Sequence, residues 1–279
     1  MSKFNLDLKD KVVVITGAGG VICGGIAAEL ATSGAKFALL DLNLDAAKVV
    51  EDEITKQGGI AKAYKANVLE RESLQAVRDE IVKDLGTCDI LINGAGGNNP
   101  RATTDNETCE PGVTVEKDFF SLQDSGVRFV FDLNFIGAFI PTQVFAKDMI
   151  GKEGCSILNI SSMNAFTPLT KIPAYSAAKA AISNFTEWLA VHFAPCGIRV
   201  NAIAPGFFVG KQNRGLLFNP DGTPTARTGK ILAGTPMKRF GEIPELYGAV
   251  KLLLSAEDAG FITGVVLPVD GGFHAYSGV

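Results

Sequence analysis

The chain passes from strand to helix through a run of glycines. Residues 11–16, KVVVIT, form an apolar run, and Thr16-Gly17-Ala18-Gly19-Gly20-Val21-Ile22-Cys23-Gly24-Gly25 follows without a spacer. A strand apolar on both alternations is covered on both faces, as in a parallel sheet. Glycines let the backbone turn tightly and let a ligand come close to it. The helix that opens beyond them offers free N–H groups to an anion. Few folds accommodate this arrangement, because the next strand must lie parallel to the first.

The rest of the sequence repeats the pattern. Strand-like runs stand at KFALLD (36–41), IAKAYKANV (60–68), CDILIN (88–93), SILNIS (156–161), IRVNAIA (198–204) and VVLPVDGG (265–272). Helical spacing fills 44–57, 70–85, 126–150, 173–194 and 243–255. Strands alternating with helices make βαβ units and a parallel sheet. The expected class is therefore α/β, with one Rossmann-type doubly wound sheet in three α/β/α layers spanning 1–279. Two long polar segments interrupt it, at about 97–125 and 206–239, and loops of such length are rarely idle.

Hydrophobic residues make up 47% of the chain, enough for a large core. With 26 basic against 30 acidic residues, the net charge of −4 argues against capture of nucleic acid. No uninterrupted apolar run has the length of a membrane span. The opening MSKFNLDLKD lacks the apolar stretch of an export signal, so the expectation is a cytoplasmic protein. Cys23, Cys88, Cys109, Cys155 and Cys196 are scattered and odd in number, which points to neither a metal site nor a disulfide framework.

Several residues carry chemistry. Gly17, Gly19 and Gly20 suit the pyrophosphate of a dinucleotide at the start of a helix. Asp41 ends the second strand, where a carboxylate accepts ribose hydroxyls and repels a 2′-phosphate; this favours NAD over NADP. Leu42 beside it brings no positive charge. Tyr175 and Lys179, in AYSAAKAAISNF, share a helix face. An ammonium beside a phenol lowers its pKa and fits it to carry a proton. The spacing alone is one that any helix produces. Ser162 suits a cap and Asn134 an inward-turned amide, and only the conjunction singles them out.

With these marks together, the protein resembles the short-chain dehydrogenase/reductase family over nearly its whole length. The shared marks are Thr16-Gly17, Asn67-Val68, Asn93-Gly94-Ala95-Gly96, Asn134, Ser162, Tyr175, Lys179, Pro205-Gly206 and Asp270-Gly271-Gly272. The resemblance implies that Tyr175 is the acid/base and that Ser162 orients the reacting oxygen. It implies that Lys179 holds the nicotinamide ribose and tunes Tyr175, and that Asn134 holds a water linking Lys179 to solvent. The implied cofactor contacts are Gly17, Gly19, Gly20, Val21, Ile22, Asp41, Leu42, Asn67, Val68, Asn93, Ala95, Gly96, Tyr175, Lys179, Pro205, Gly206 and Phe208. It also implies a homotetramer built through helices 126–150 and 173–194 and the last strand.

The sequence departs from the family pattern at defined points. Val21 and Cys23 stand at the second and third glycines of T-G-x-x-x-G-x-G. Asn67 replaces an Asp, Gly94 replaces the second Asn of N-N-A-G, and Gly210 replaces a Thr after Pro205-Gly206. Backbone groups near Phe208 would then hold the nicotinamide carboxamide.

The two polar segments leave the ends of strands where such sheets bind ligands. Asn98, Asn99, Arg101, Asn164, Lys211, Gln212, Asn213 and Arg214 suit a polyol with a carboxylate better than a steroid or a fatty acyl group. GGNNPRATTDN, PGFFVGKQNR and VDGGFHAYSGV resemble one branch of the family, the D-mannonate oxidoreductases or fructuronate reductases. Gluconate-type and other sugar or polyol dehydrogenases share much of this pattern. A non-catalytic nucleotide sensor on the same fold is the alternative of another class. His192 reads as structural or as a surface residue. His274 reads as a tail residue, or as one that reaches a substrate site. Phe166 reads as a pocket wall or as core.

Overall fold

A computed structural model describes residues 6–210 and 214–278. Its strands are β1 (Val12–Thr16), β2 (Lys36–Asp41), β3 (Ile60–Lys65), β4 (Ile90–Asn93), β5 (Ser156–Ile160), β6 (Arg199–Pro205) and β7 (Val266–Val269). They form one sheet in the order β3-β2-β1-β4-β5-β6-β7, with every pair parallel.

Two helical layers cover the sheet, and alternate strand residues sort between them. Val13, Ile15, Phe37, Leu39, Ile90 and Ile92 pack with Ile26, Val50, Ile54 and Leu253. These last four come from α1 (Val21–Glu29), α2 (Leu44–Lys56) and α9 (Tyr247–Leu254). Val12, Val14, Ala38, Leu40, Leu91 and Ile157 face the other way, onto Leu74, Ile81, Phe145 and Leu189. Those lie on α3 (Arg71–Asp84), α5 (Gly137–Phe145) and α6 (Pro173–Phe193). A period of two on strands buried on both sides leaves no polar face, which is why these strands read as unbroken apolar runs.

The elements differ from the sequence reading in several places. The helix expected over 126–150 is broken into α4 (Asp124–Phe131), a π turn at Asp132–Ile136, and α5. The segment 206–239, read as irregular, contains α7 (Arg214–Leu217) and α8 (Ala226–Gly234), the latter capped by the Thr225 side chain. The third strand stops at Lys65, short of Val68, because Asn67 turns the backbone by accepting from Leu69 N at 3.1 Å. The helical run Asp124–Asp148 is long and apolar enough to cross a membrane by length and mean hydropathy. It is half buried, however, and α5 packs on α3 and α4 on α6.

β6 also anchors the far layer. The Arg199 guanidinium donates to the carbonyls of Leu253, Leu254, Ser255 and Ile262. It thereby caps the C-terminal end of α9, whose last carbonyls have no helical donor.

Candidate active site

A trough runs along the C-terminal ends of the strands. Its floor is the turn after β1. Gly17 has φ +66°, and a Cβ there would lie 2.9 Å from Ala95 N, so only glycine lets the turn approach the end of β4. Thr16 Oγ1 accepts from Gly94 N and Ala95 N at 3.1 and 3.3 Å and ties the two strand ends together.

The glycine N–H groups are not all open, contrary to the simplest reading of the turn. Gly19 N donates to Asp41 Oδ2 at 2.9 Å, and Gly20 N donates to Gly17 O at 3.0 Å. Asp41 Oδ1 accepts from Asn43 N at 2.8 Å. Asp41 therefore braces the turn, and each of its oxygens keeps a lone pair for another donor. The donors left for an anion are the opening N–H groups of α1, which have no intrahelical acceptor. Val21 and Ile22, which carry two of them, line the trough.

The trough has two lobes that share Gly17, Gly20, Gly94 and Gly96. One, of about 330 Å³, is lined by Gly19, Asp41, Leu42, Asn67, Val68 and Ala95. The other, of about 450 Å³, is lined by Val21, Ile22, Asn98, Ser162, Tyr175, Lys179, Pro205, Gly206 and Phe208. Two lobes joined over a glycine floor, with a carboxylate in one and a tyrosine and lysine in the other, fit the two halves of a dinucleotide. Asn93 lines neither lobe. Its amide is buried and donates to Thr142 Oγ1 and Asn159 Oδ1 at 3.0 and 2.9 Å, holding β4 to α5 and β5.

Three polar residues, Ser162, Tyr175 and Lys179, line the larger lobe, and Asn134 stands beside it at Gly96. Ser162 follows β5, and its Oγ accepts from Asn164 N at 3.2 Å, capping a short turn. Tyr175 and Lys179 stand one helical turn apart on α6, which begins at Pro173. Lys179 is 5% exposed; its Nζ donates to Ile160 O at 2.8 Å and lies 5.7 Å from the centre of the Tyr175 ring. Asn134 sits in the π turn, where its Nδ2 donates to Gly97 O and Val130 O at 2.7 and 2.8 Å. A Cβ at Gly96 would lie 2.7 Å from Asn134 Oδ1 and 3.2 Å from Lys179 Nζ, so the bare backbone at 96 is what lets this cluster form.

Burial governs the charges here. It lowers the Lys179 ammonium from 10.5 to about 8, which leaves it charged at neutral pH. It pushes the Tyr175 phenol up, opposed by the hydrogen bond with Ser162. From the sequence, Lys179 is expected to pull the phenol down. In the structure desolvation dominates instead, and the ammonium is turned toward the Ile160 carbonyl. Burial also pushes the Cys23 thiol up to about 12, despite the charge of Lys179 nearby, so it is no nucleophile.

The departures from the family pattern prove to be paired in space. A Cβ at Gly94 would lie 2.0 Å from Cys23 Sγ, so a side chain at 94 and the thiol at 23 exclude each other. A Cβ at Gly210 would lie 3.3 Å from Val21 Cγ2. Each position that gains a side chain faces one that has lost it. Equal and opposite changes of volume in one sequence were the only signal of these contacts.

The proposed substrate residues are not gathered as a group. Asn98 lines the larger lobe and donates to Thr103 Oγ1 at 3.0 Å. Asn164 is buried, and its Oδ1 has no partner among the described residues. Asn99 caps the turn at Pro100–Ala102 by accepting from Arg101 N, and Arg101 itself is exposed. The Arg214 guanidinium lies over the Phe218 ring, 5.2 Å from its centre. Lys211, Gln212 and Asn213 lie outside the described residues. His192 stacks on Trp188 at 4.6 Å. His274 is held by Asp270 and packs on Phe166, a placement its position beyond the last strand does not advertise.

Comparison with known proteins follows the same outline. A model of the short chain dehydrogenase family matches residues 11–216. An uncharacterised oxidoreductase of Haemophilus influenzae is 62% identical, with 99% of this chain and 97% of that one covered. The uncharacterised oxidoreductase UxuB of Bacillus subtilis is 52% identical, with 98% of each chain covered. A crystal structure of a Haemophilus influenzae protein, provisionally named a D-mannonate oxidoreductase and bearing NAD, superposes with a TM-score of 0.96. Its identity is 61%, and 99% of each chain is covered.

Proposed function

The protein belongs to the short chain dehydrogenase family, and we propose that it is an NAD-dependent oxidoreductase interconverting D-fructuronate and D-mannonate. The observation that carries the chemistry is that Ser162, Tyr175 and Lys179 line one lobe, with Lys179 and Asn134 meeting over Gly96. The likeness to the NAD-bound protein provisionally named for D-mannonate supports the cofactor and the substrate.

NAD, when bound, takes or supplies a hydride at the carbon that bears the reacting oxygen. The protein's own residues do the rest. Asp41 receives the adenosine ribose hydroxyls and repels a 2′-phosphate, with Leu42, Asn67 and Val68 around the adenine. Val21 and Ile22 N–H groups meet the pyrophosphate, and Ala95, Gly96, Pro205, Gly206 and Phe208 enclose the nicotinamide. Tyr175 donates its hydroxyl proton to the carbonyl oxygen in reduction and takes it back in oxidation. Ser162 donates to the same oxygen, since its acceptor side already serves Asn164 N. The Lys179 ammonium offsets the charge left on the phenol oxygen. Among the described residues, Asn134 Oδ1 accepts only from Gly97 N, at 3.2 Å, and keeps a lone pair for a water that passes protons to Lys179. Asn98 and Asn164 bind substrate hydroxyls.

We further propose a single domain and a cytoplasmic homotetramer. Phe135 in the π turn, Phe139 on α5, and Phe185 and Trp188 on α6 form an aromatic row, and Trp188 is 56% exposed. Such a face is what a subunit contact covers.

The test is nicotinamide absorbance with purified protein, D-fructuronate and either NADH or NADPH. NADH is the expected reductant. Tyr175→Phe should lower turnover by about 10²–10⁴-fold while NADH binding persists. NADH binding without oxidation would discard this substrate, and an active Tyr175→Phe would discard the acid/base role.

A further inference from the structure

Asp270 follows β7 and is almost entirely buried, its side chain 4% exposed. It packs against Gly206 at the edge of the larger lobe. A Cβ at Gly206, which lines that lobe, would sit 2.6 Å from Asp270 Cα. A carboxylate in such a place must have its lone pairs filled. Oδ1 accepts from Gly272 N at 2.9 Å, and Oδ2 accepts from His274 N at 2.8 Å. The remaining contact is with the His274 ring, whose Nδ1 lies 2.8 Å from Oδ2.

The ring is fixed from the other side as well. It packs on Phe166 with centroids 5.3 Å apart, and Phe166 ends the short turn that Ser162 begins. Thr167 Oγ1 donates to His274 O at 3.3 Å. His274 thus bridges the end of β7, through Asp270, and the turn that Ser162 begins. Its Nε2 has no partner among the described residues, and the side chain is 32% exposed.

We infer that His274 binds the carboxylate end of the substrate. Nδ1 faces Asp270 Oδ2, and Nε2 is the ring nitrogen offered to the carboxylate, with Phe166 fixing the plane of the ring. The inference rests on the reading of the substrate as a keto sugar acid. Four cations of the two polar segments suit the role less. Lys230 is paired with Glu107 and Arg239 with Glu245. Arg101 is exposed, and Arg214 is stacked on Phe218. A side chain oriented by a buried acid is the one already organised to bind.

Kinetics on D-fructuronate and its methyl ester, which lacks the charge, test this directly. His274→Gln should raise KM for the acid by about tenfold or more, the loss of one charge-assisted hydrogen bond, with kcat and NADH affinity retained. KM for the ester should not move. An unchanged KM for the acid, or an equal rise for both compounds, would overturn the assignment. Binding gives a second readout that needs no turnover. The protein has 2 histidines, so His274→Gln identifies the His274 ring signals in a proton NMR spectrum. In the NAD complex of Tyr175→Phe, D-mannonate and D-gluconate should shift those signals and mannitol should not. If the wild type does not oxidise NADH with D-fructuronate, the proposed reaction fails, and this titration still decides on His274. A shift with any sugar acid but not with mannitol supports it, and no shift with any acid refutes it.

Discussion

Cys23 fills the space that a side chain at 94 would need. Gly94→Ala places a Cβ 2.0 Å from Cys23 Sγ and 2.9 Å from Thr16 O. Urea unfolding should show a loss of about 1–3 kcal/mol, the range of an overpacked core. Adding Cys23→Ala removes the sulfur, and the double variant should regain part of that loss, the Thr16 contact remaining. Lys179 invites a test of sign. Its folded pKa, about 8, lies below its ordinary 10.5, so burial penalises the charged form. The penalty is fully present below about pH 8 and fades as pH rises toward 10.5, because the unfolded protein then holds the extra proton. Relative to the wild type, Lys179→Met should therefore be favoured by about 3 kcal/mol more at pH 7 than near pH 10.5. Thermal denaturation across that range measures it, and a flat difference would refute the burial argument. That Tyr175, Lys179 and Ser162 would share one lobe and Asp41 line the other followed from the conjunction of their motifs, since spacing alone singles out none of them. The Cys23–Gly94 contact was not legible in the sequence, because it joins positions beyond different strands that only the sheet order brings together.

Elements were legible wherever the apolar period was unambiguous. All seven strands are foreseen: β1, buried throughout, leaves a continuous apolar run, and β3 at the sheet edge still shows through its alternation. The π turn at Asp132–Ile136 is invisible to periodicity, since one extra residue in a turn leaves the composition unchanged. The Asn134 amide satisfies Val130 O there and reaches out to Gly97 as well. Helix α8 escapes notice for another reason. It holds two glycines within ARTGKILAG and buries only Thr228 and Ile231, so it has too small an apolar stripe to read. The Arg199 cap on α9 is likewise hidden, because a cation inside a strand says nothing about which carbonyls it meets.

At the scale of the molecule, the outward faces of α5 and α6 carry the proposed subunit contact. Val191 is 78% exposed beside Trp188 and His192. Val191→Glu should yield a smaller species by size exclusion with light scattering while the circular dichroism spectrum stays native. An unchanged mass would place the contact elsewhere. The sheet order also bears on how the protein is made. From β4 onward each new strand joins the outer edge of the one before, in the sequence β4-β5-β6-β7. A ribosome therefore delivers these strands in the order in which the sheet takes them. Each open edge waits only for the next segment to emerge, and Asp270 and His274, which follow the last strand, leave the exit tunnel after every other wall of the trough has been synthesised.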